Sequence, residues 1–366
     1  MTTIIFAGGG TGGHLYPGLA IARALLRIQP DVRPFFVGAR RGIERDVLPG
    51  SGFDYELLDL HPLYRARFSE NWRTLRGAAS AWRSIGKRMR LERPYAVVGT
   101  GGYASGLTLA YAAVHKIPIV IQEQNAYPGL TTRFFSRYAR QVHLGFADAR
   151  SRLSPGLRTI VMDSGNPIEP PPPDARDRTK GRAAWGFPAD RGTVVLVYGG
   201  SQGSQAINSA VADWVRSGLP PDLYLIWGTG TANYDRFASL DSDRIKVRPY
   251  LSPVGDAYRA ADLAVSRAGA MATAELCAWG IPMILVPLPT AAADHQTVNA
   301  RSLEAAGAAR VIPQSRLAGD ALRAEISSMI SEPGRRSAAT AAALRFAKPS
   351  AAEAIAHSIL ALHNLK

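Results

Sequence analysis

Two stretches of this 366-residue chain concentrate glycine where a strand-like run gives way to a helical one. They are Gly8-Gly9-Gly10-Thr11-Gly12-Gly13-His14 and Gly199-Gly200-Ser201-Gln202-Gly203. Glycine at such a junction lets backbone N–H groups converge at a helix N-terminus and lets a ligand approach closely, which is how phosphate is bound. One such loop is a weak signal. Two, at matching places in successive halves, predict a cleft lined from both sides by phosphate-seeking helix ends. Gly8-x-Gly10-x-x-Gly13 also fits the dinucleotide fingerprint, which calls for an acidic residue roughly 20 positions further on. The next strand ends instead in Gly38-Ala39-Arg40-Arg41. That pattern disfavours NAD and leaves NADP open through Arg40 and Arg41, with the second loop unexplained. Asp241-Ser242-Asp243 has the form of a metal-binding Asp-x-Asp, but it lies in a polar stretch before a strand and reads as a solvated turn. No His, Cys or carboxylate cluster has metal-ligand spacing, so neither metal nor cofactor is expected. Helix ends and side-chain donors would then stabilise a leaving diphosphate.

The elements that must carry these loops follow an alternating pattern. Thr3–Ala7 reads as a buried strand, Tyr16–Arg27 as a helix, and Pro34–Val37, Ala96–Val98 and Ile119–Ile121 as further strands. The four prolines 170–173 can continue neither a helix nor a central strand, so a stiff spacer and a domain boundary belong there. The pattern then restarts with a strand at Thr193–Tyr198 and a helix at Gln205–Val215. Strands at Leu223–Trp227, Lys246–Arg248, Leu263–Val265 and Ile284–Pro287 follow, with a helix at Ala270–Trp279. Strand, loop, helix, strand in both halves predicts an α/β protein of two Rossmann-like, doubly wound parallel sheets. The expected division is 1–165, 166–345 and a terminal helix in 346–366 that packs back on the first domain.

Composition bounds the function. Hydrophobic residues at 46% and charged residues at 20% are ordinary for a globular chain of two domains. The single cysteine, Cys277, excludes an internal disulfide and fits a reducing compartment. Met1–Ala7 lacks the basic head and length of a signal peptide, and no apolar run reaches the ~20 residues of a membrane span. The expectation is a cytoplasmic protein. The formal charge of +14 favours anionic partners. Nucleic acid is not expected among them, because no helix-turn-helix, zinc module or aromatic RNA-binding pattern accompanies the charge.

Gly9-Gly10-Thr11-Gly12-Gly13-His14-Leu15-Tyr16-Pro17-Gly18-Leu19-Ala20 closely resembles the opening of the MurG family. Those enzymes transfer N-acetylglucosamine (GlcNAc) to lipid I, giving lipid II in peptidoglycan synthesis. The likeness continues, in order, through Gly101-Gly102-Tyr103-Ala104-Ser105, Gln122-Glu123-Gln124-Asn125 and Gly165-Asn166-Pro167. It then runs through Gly199–Gly203, Ser266–Ala270 to Glu275, and Asp294-His295-Gln296 with Asn299-Ala300. The resemblance implies a GT-B architecture, UDP-GlcNAc as donor, lipid I (undecaprenyl-pyrophosphoryl-MurNAc-pentapeptide) as acceptor, and inversion at the sugar carbon without a metal. It also implies further contacts with other cell-wall and division proteins. It places Thr11, Gly12 and Gly13 near the donor sugar or acceptor diphosphate, Asn125 and Gln296 at the donor sugar, and Ser201 at the UDP phosphates. The Leu251 backbone would face uracil. The helix start formed by Ala270, Met271, Ala272, Thr273, Ala274 and Glu275 would meet the α-phosphate, with Glu275 accepting from the ribose hydroxyls. Two departures stand out. Glu169 replaces an arginine common in the family after Gly-Asn-Pro-x, and Gln122 stands where some members carry histidine, which argues against an essential acid–base role there.

Attack by the acceptor C4 hydroxyl needs a general base. His14 is the first candidate, with bracing of the loop as its equal alternative. Glu123 is the second, with a structural role favoured, and Tyr103 is expected to shape the acceptor site or to sit in the core. Residues 72–90, read as a helix, place Trp72, Leu75, Trp82, Ile85 and Met89 partly on one face among Arg83, Lys87, Arg88 and other basic residues. That pattern suits an interfacial helix on anionic lipid and predicts a peripheral protein at the cytoplasmic membrane face; a surface helix packed on the sheet is the other reading. Arg133-Phe134-Phe135 and Arg137-Tyr138 extend the patch.

Overall fold

The structure is a computed structural model that describes residues 2–60 and 71–362, with the backbone alone for 71–76 and Pro333. The chain forms two compact units, one of Met1–Glu169 with Lys348–Lys366 and one of Pro170–Ala347.

In the first unit the order is β1 (Thr2–Gly8), α1 (Gly12–Ile28), β2 (Val32–Ala39), α2 (Glu44–Val47), β3 (Asp54–Leu58) and α3 (Asn71–Glu92). Then come β4 (Ala96–Gly101), α4 (Tyr103–Val114), β5 (Ile119–Glu123), α5 (Leu130–Phe135), β6 (Gln141–Leu144) and β7 (Ile160–Met162). The strands form one parallel sheet in the order β3-β2-β1-β4-β5-β6-β7. β1 is buried at every position after its first, as a central parallel strand covered on both faces must be. Its ends were legible as an apolar run. β3, β6 and β7 were not, since DYELL, QVHL and IVM carry too few consecutive apolar residues to stand out.

The second unit runs α6 (Arg178–Ala184), β8 (Thr193–Tyr198), α7 (Gln205–Arg216), β9 (Leu223–Gly228), α8 (Tyr234–Phe237), β10 (Ile245–Arg248) and α9 (Val254–Ala260). It continues with β11 (Leu263–Ser266), α10 (Ala270–Ala278), β12 (Met283–Leu285), α11 (His295–Ala305), β13 (Ala309–Val311), α12 (Gly319–Ser331) and α13 (Pro333–Phe346). Its parallel sheet has the order β10-β9-β8-β11-β12-β13. In both sheets the chain reverses direction of winding beside the first strand. Ligands of open α/β sheets bind at that switch point, beyond the carboxyl ends of the strands. Both glycine loops, and the turns after β4 and β11, lie there.

The last helix, α14 (Ala351–Leu360), belongs to the first unit. Ala352, Ile355, Ala356 and Ile359 pack with Leu15, Leu19 and Ile21 of α1 in one core. The Tyr95 hydroxyl donates to the Leu360 carbonyl at 2.9 Å, and Gln141 Nε2 donates to the Ser358 carbonyl at 2.9 Å.

α3 corrects the interfacial reading of its apolar face. Ala81, Ile85 and Met89 are buried in the core of the first unit, and the half-buried Trp82 ring lies 5.0 Å from that of Tyr111. Ile85, 2% exposed, is therefore unavailable to lipid. Arg88 is turned inward as well: it donates to Glu56 at 2.9 Å and Glu92 at 3.2 Å, with its guanidinium 4.6 Å from the Phe35 ring centre. Arg83 and Lys87 are exposed. The side chains of Trp72 and Leu75 lie outside the described residues.

Candidate active site: two switch-point turns

In the first unit the glycine loop is shaped by a carboxylate, Glu44, that no motif or spacing singles out. Glu44 is fully buried; one oxygen accepts the Gly10 N–H at 2.9 Å and the other the Ala39 N–H at 3.1 Å. Gly9 and Gly10 have φ of 152° and 87°. A Cβ on Gly9 would run into the Glu44 carboxylate, and one on Gly10 would come within 2.8 Å of the Tyr103 ring. Glycine is required here both by conformation and by space. A carboxyl oxygen of the protein already accepts from the Gly10 amide, so this loop is not the bare phosphate cradle its glycines suggest. That weakens the NADP alternative.

Thr11 opens α1 and lies exposed, with Gly12 and Gly13 in its first turn. His14 is half-buried, with Nδ1 3.1 Å from Thr11 Oγ1 and its ring against the Gly101–Gly102 backbone. Thr100 Oγ1 donates to the His14 carbonyl at 2.6 Å, tying β4 to α1. Tyr103, half-buried at the start of α4, borders the same loop over Gly10. The structure thus brings Thr11, His14 and Tyr103 together.

Glu123 ends β5 and faces inward. Its Oε1 accepts from the Asn125 N–H at 3.0 Å and from Asn125 Nδ2 at 3.4 Å, and its Oε2 accepts from the Gly129 N–H at 3.0 Å. Burial pushes its carboxyl above the ordinary range, against the pull of Thr132, Asn125 and Gly129. Those bonds fix the loop that presents the half-buried Asn125. Behind it, Gln122 Nε2 donates to Asn166 Oδ1 at 3.2 Å, Asn166 Nδ2 to the Gln124 carbonyl at 3.0 Å, and Gln124 Nε2 to the Thr100 carbonyl at 2.8 Å. This buried amide ladder explains the Glu-Gln-Asn and Gly-Asn-Pro motifs as one unit. Glu169 makes a surface ion pair with Arg23 at 3.4 Å.

In the second unit no carboxylate among the described residues accepts from the loop after β8. Gly203, at φ 73°, lies so close to Thr229 that a Cβ would meet its carbonyl. Ser201 is exposed at the tip, and Ser204 caps α7 by accepting from the Ile207 N–H at 3.4 Å. Arg267, in the turn after β11, donates to Ser204 Oγ at 2.7 Å and Gln314 Oε1 at 2.6 Å, and to the Val286 and Pro287 carbonyls, each at 3.1 Å. These partners are all neutral, so a half-buried positive charge stands at the start of α7 with no carboxylate on it among the described residues. Burial lowers its pKa. Motif spacing had flagged Arg267 only as part of a likeness, not as a charge.

α10 begins at Ala270 and carries Met271, Ala272, Thr273, Ala274 and Glu275 over its first six residues. Burial raises the Glu275 carboxyl pKa, partly offset by the Tyr258 hydroxyl, which donates to Oε2 at 2.7 Å. Asn299 Nδ2 holds the Ala268 carbonyl at 3.1 Å. At the start of α11, Gln296 Oε1 accepts the Leu288 N–H at 3.0 Å, so that its amide NH2 is the end left to donate. Ala293 and Asp294 just before it are both left-handed, at φ 53° and 52°, a local strain of the sort that accumulates at ligand sites. Leu251 is buried against Gly228, beside the exposed Tyr250. Asp241 braces β10, accepting from the Val247 N–H at 2.7 Å and Arg248 Nη1 at 3.0 Å, as a turn residue would. Among the described residues no group of three or more His, Cys, Asp or Glu could hold a metal ion.

The chain matches the glycosyltransferase family 28 N-terminal domain over residues 4–144 and the family 28 C-terminal domain over 194–355. It is 40% identical over 366 residues to a Salinibacter ruber protein, covering 98% of this chain and 96% of that one. It is 38% identical over 365 residues to a Chlorobium limicola protein, covering 98% and 99%. Both carry the name UDP-N-acetylglucosamine--N-acetylmuramyl-(pentapeptide) pyrophosphoryl-undecaprenol N-acetylglucosamine transferase. The crystal structure of Acinetobacter baumannii MurG superposes with a TM-score of 0.77 at 27% identity, over 98% of this chain and 99% of that one. The S. aureus MnaA–UDP structure, at 16% identity and a TM-score of 0.67 over 100% and 98%, shares the fold.

Proposed function

The chain belongs to glycosyltransferase family 28, and from that premise we propose that it transfers GlcNAc from UDP-GlcNAc to the C4 hydroxyl of the MurNAc of lipid I, giving lipid II. The observation that carries this reading is identity of 40% along nearly the whole chain with a transferase of that name. The acceptor oxygen attacks the anomeric carbon from the face opposite UDP. The new C–O bond forms as the bond to the diphosphate breaks, and the electron pair leaves with UDP. The hydroxyl proton passes to His14. A hydrogen bond from Nδ1–H to Thr11 Oγ1 would set the tautomer in which Nε2 is the base.

The first unit takes the acceptor and the second takes UDP. Support for that division comes from charge. Glu44 occupies an amide of the first glycine loop, whereas the second loop sits beside the uncompensated Arg267. Arg267, with the amides that start α7 and α10, neutralises the diphosphate in place of the family arginine absent at Glu169. Glu275 accepts from the ribose hydroxyls, the Gln296 amide and Asn125 contact the sugar, and the Leu251 backbone faces uracil. Glu123 braces the Asn125 loop, and Tyr103 borders the acceptor side.

The protein works at a membrane surface. Among the described residues no helix is long and apolar enough to cross a membrane. Leu130, Phe134 and Tyr138 are 57%, 52% and 51% exposed, with Arg137 stacked 5.4 Å from the Phe134 ring centre. That aromatic and basic surface, with exposed Arg83 and Lys87 on α3, is the lipid-facing side.

Incubation with UDP-GlcNAc and a lipid I analogue tests the reading: lipid II-type product and UDP should appear together. UDP release without transfer to the MurNAc sugar would refute the acceptor assignment.

A further inference from the structure

The Tyr258 side chain has a place in the second unit that packing alone does not require. It is 2% exposed, and its hydroxyl lies 2.7 Å from Glu275 Oε2 and 3.2 Å from the hydroxyl of Tyr198. A phenol has one proton, and an ionised carboxylate can only accept. Tyr258 therefore donates to Glu275, and Tyr198 donates to Tyr258. The order of the three groups is fixed. The Tyr258 ring is held between Tyr198, 6.3 Å away, and Trp279, 5.7 Å away, which are themselves 9% and 8% exposed. There is little room for a second rotamer.

This arrangement fixes a carboxylate that would otherwise turn about its last torsion. With Oε2 pinned from the core side, Oε1 and the second lone pair of Oε2 remain in one defined plane. Two acceptors side by side in a plane match the two hydroxyls of a ribose. We infer that Tyr258, backed by Tyr198, is a positioning residue that holds Glu275 to accept both ribose hydroxyls and so sets the preference for ribo- over 2′-deoxyribonucleotides. The inference rests on the reading of Glu275 as the ribose acceptor. Tyr258 touches no ligand itself; it makes the carboxylate geometry ready beforehand, so less freedom is lost on binding.

Calorimetric titration of UDP and 2′-deoxy-UDP into wild type, Tyr258→Phe and Tyr198→Phe separates the possibilities, with Tm recorded for each. Wild type should bind UDP about 10-fold or more tighter than 2′-deoxy-UDP, as loss of a hydrogen bond to a charged group implies. Tyr258→Phe should weaken UDP about 10-fold and 2′-deoxy-UDP less than about 3-fold, so the ratio collapses. A merely structural role would weaken both ligands alike, and an unchanged ratio overturns the inference. Wild type without any preference for UDP overturns the ribose reading of Glu275 itself. If Tyr258→Phe does not fold, Tyr198→Phe carries the test: the ratio should shrink about 3-fold, and an unchanged ratio overturns the inference.

Discussion

Burial makes the Glu275 carboxyl easier to protonate than an ordinary glutamate. Its proposed role needs the ionised form, which accepts two hydroxyls. UDP affinity should therefore fall on acidification, starting above the usual glutamate pKa of ~4.3, and Glu275→Gln should bind UDP weakly and lose less affinity over the same range, keeping only the part due to the phosphate of UDP itself, which titrates near ~6. Titrations at several pH values check this, and a wild-type profile no steeper than the variant's would remove Glu275 from the ribose site. His143 gives a prediction about stability instead. It is fully buried between Ser164 Oγ at 2.7 Å and Gln141 Oε1 at 3.3 Å, and burial pushes its pKa down to about 4. The unfolded chain titrates near ~6.5, so between that value and about 4 the unfolded state binds the extra proton and stability drops as pH falls. The full window is worth up to ~3 kcal/mol, and urea midpoints of His143→Gln should show a correspondingly weaker acid dependence. At the reacting centre, His14→Ala should retain UDP binding and lose kcat about 100-fold or more; unchanged kcat would leave His14 as a brace. His14 could be picked from the sequence because it follows a glycine loop. Glu44 could not, since nothing in Gly42-Ile43-Glu44 tells that its carboxylate turns back under Gly10.

At the scale of elements, the amphipathic pattern of α3 was read correctly as a helix but left its destination open. Apolar spacing alone does not distinguish a face laid on lipid from one laid on a sheet. The burial of Ile85 and Met89 assigns the described turns to the sheet. Short α5, with too few residues for a periodic signal, carries the exposed Phe134, and the exposed Tyr138 follows it. Phe134→Ser with Tyr138→Ser should reduce binding to anionic vesicles at unchanged Tm, and Arg83→Glu with Lys87→Glu should make the remaining binding less salt-sensitive. If vesicles bind the aromatic variant as well as wild type, the α5 surface is not the contact. Strands showed the same division. Those with unbroken apolar runs, β1 and β8, were legible to within a residue, whereas the edge strands β3, β7 and β13 are short or mixed and emerge only through pairing with a neighbour already in place.

For the whole molecule, the chain leaves the first unit at Glu169 and returns to it at Lys348. α14 then completes a core that α1 begins. Truncation after Ala347 should expose that face of α1 and unfold the first unit, while the second still binds UDP close to the wild-type affinity; loss of UDP binding in a folded second unit would show that the nucleotide site needs the first. The repeated strand order explains why the sequence could be divided into like halves. What it could not tell is that the two glycine loops differ electrically, one closed by Glu44 and one open beside Arg267, because that difference is made by residues far from each loop in the chain. The measurement closest to the centre of the account is the donor side of that asymmetry. UDP and uridine should be titrated into wild type, Arg267→Gln and Glu44→Gln. The account predicts that Arg267→Gln weakens UDP about 10-fold or more and uridine hardly at all, while Glu44→Gln leaves both nearly unchanged. Equal losses for UDP and uridine in Arg267→Gln, or loss of UDP binding in a folded Glu44→Gln, would contradict it.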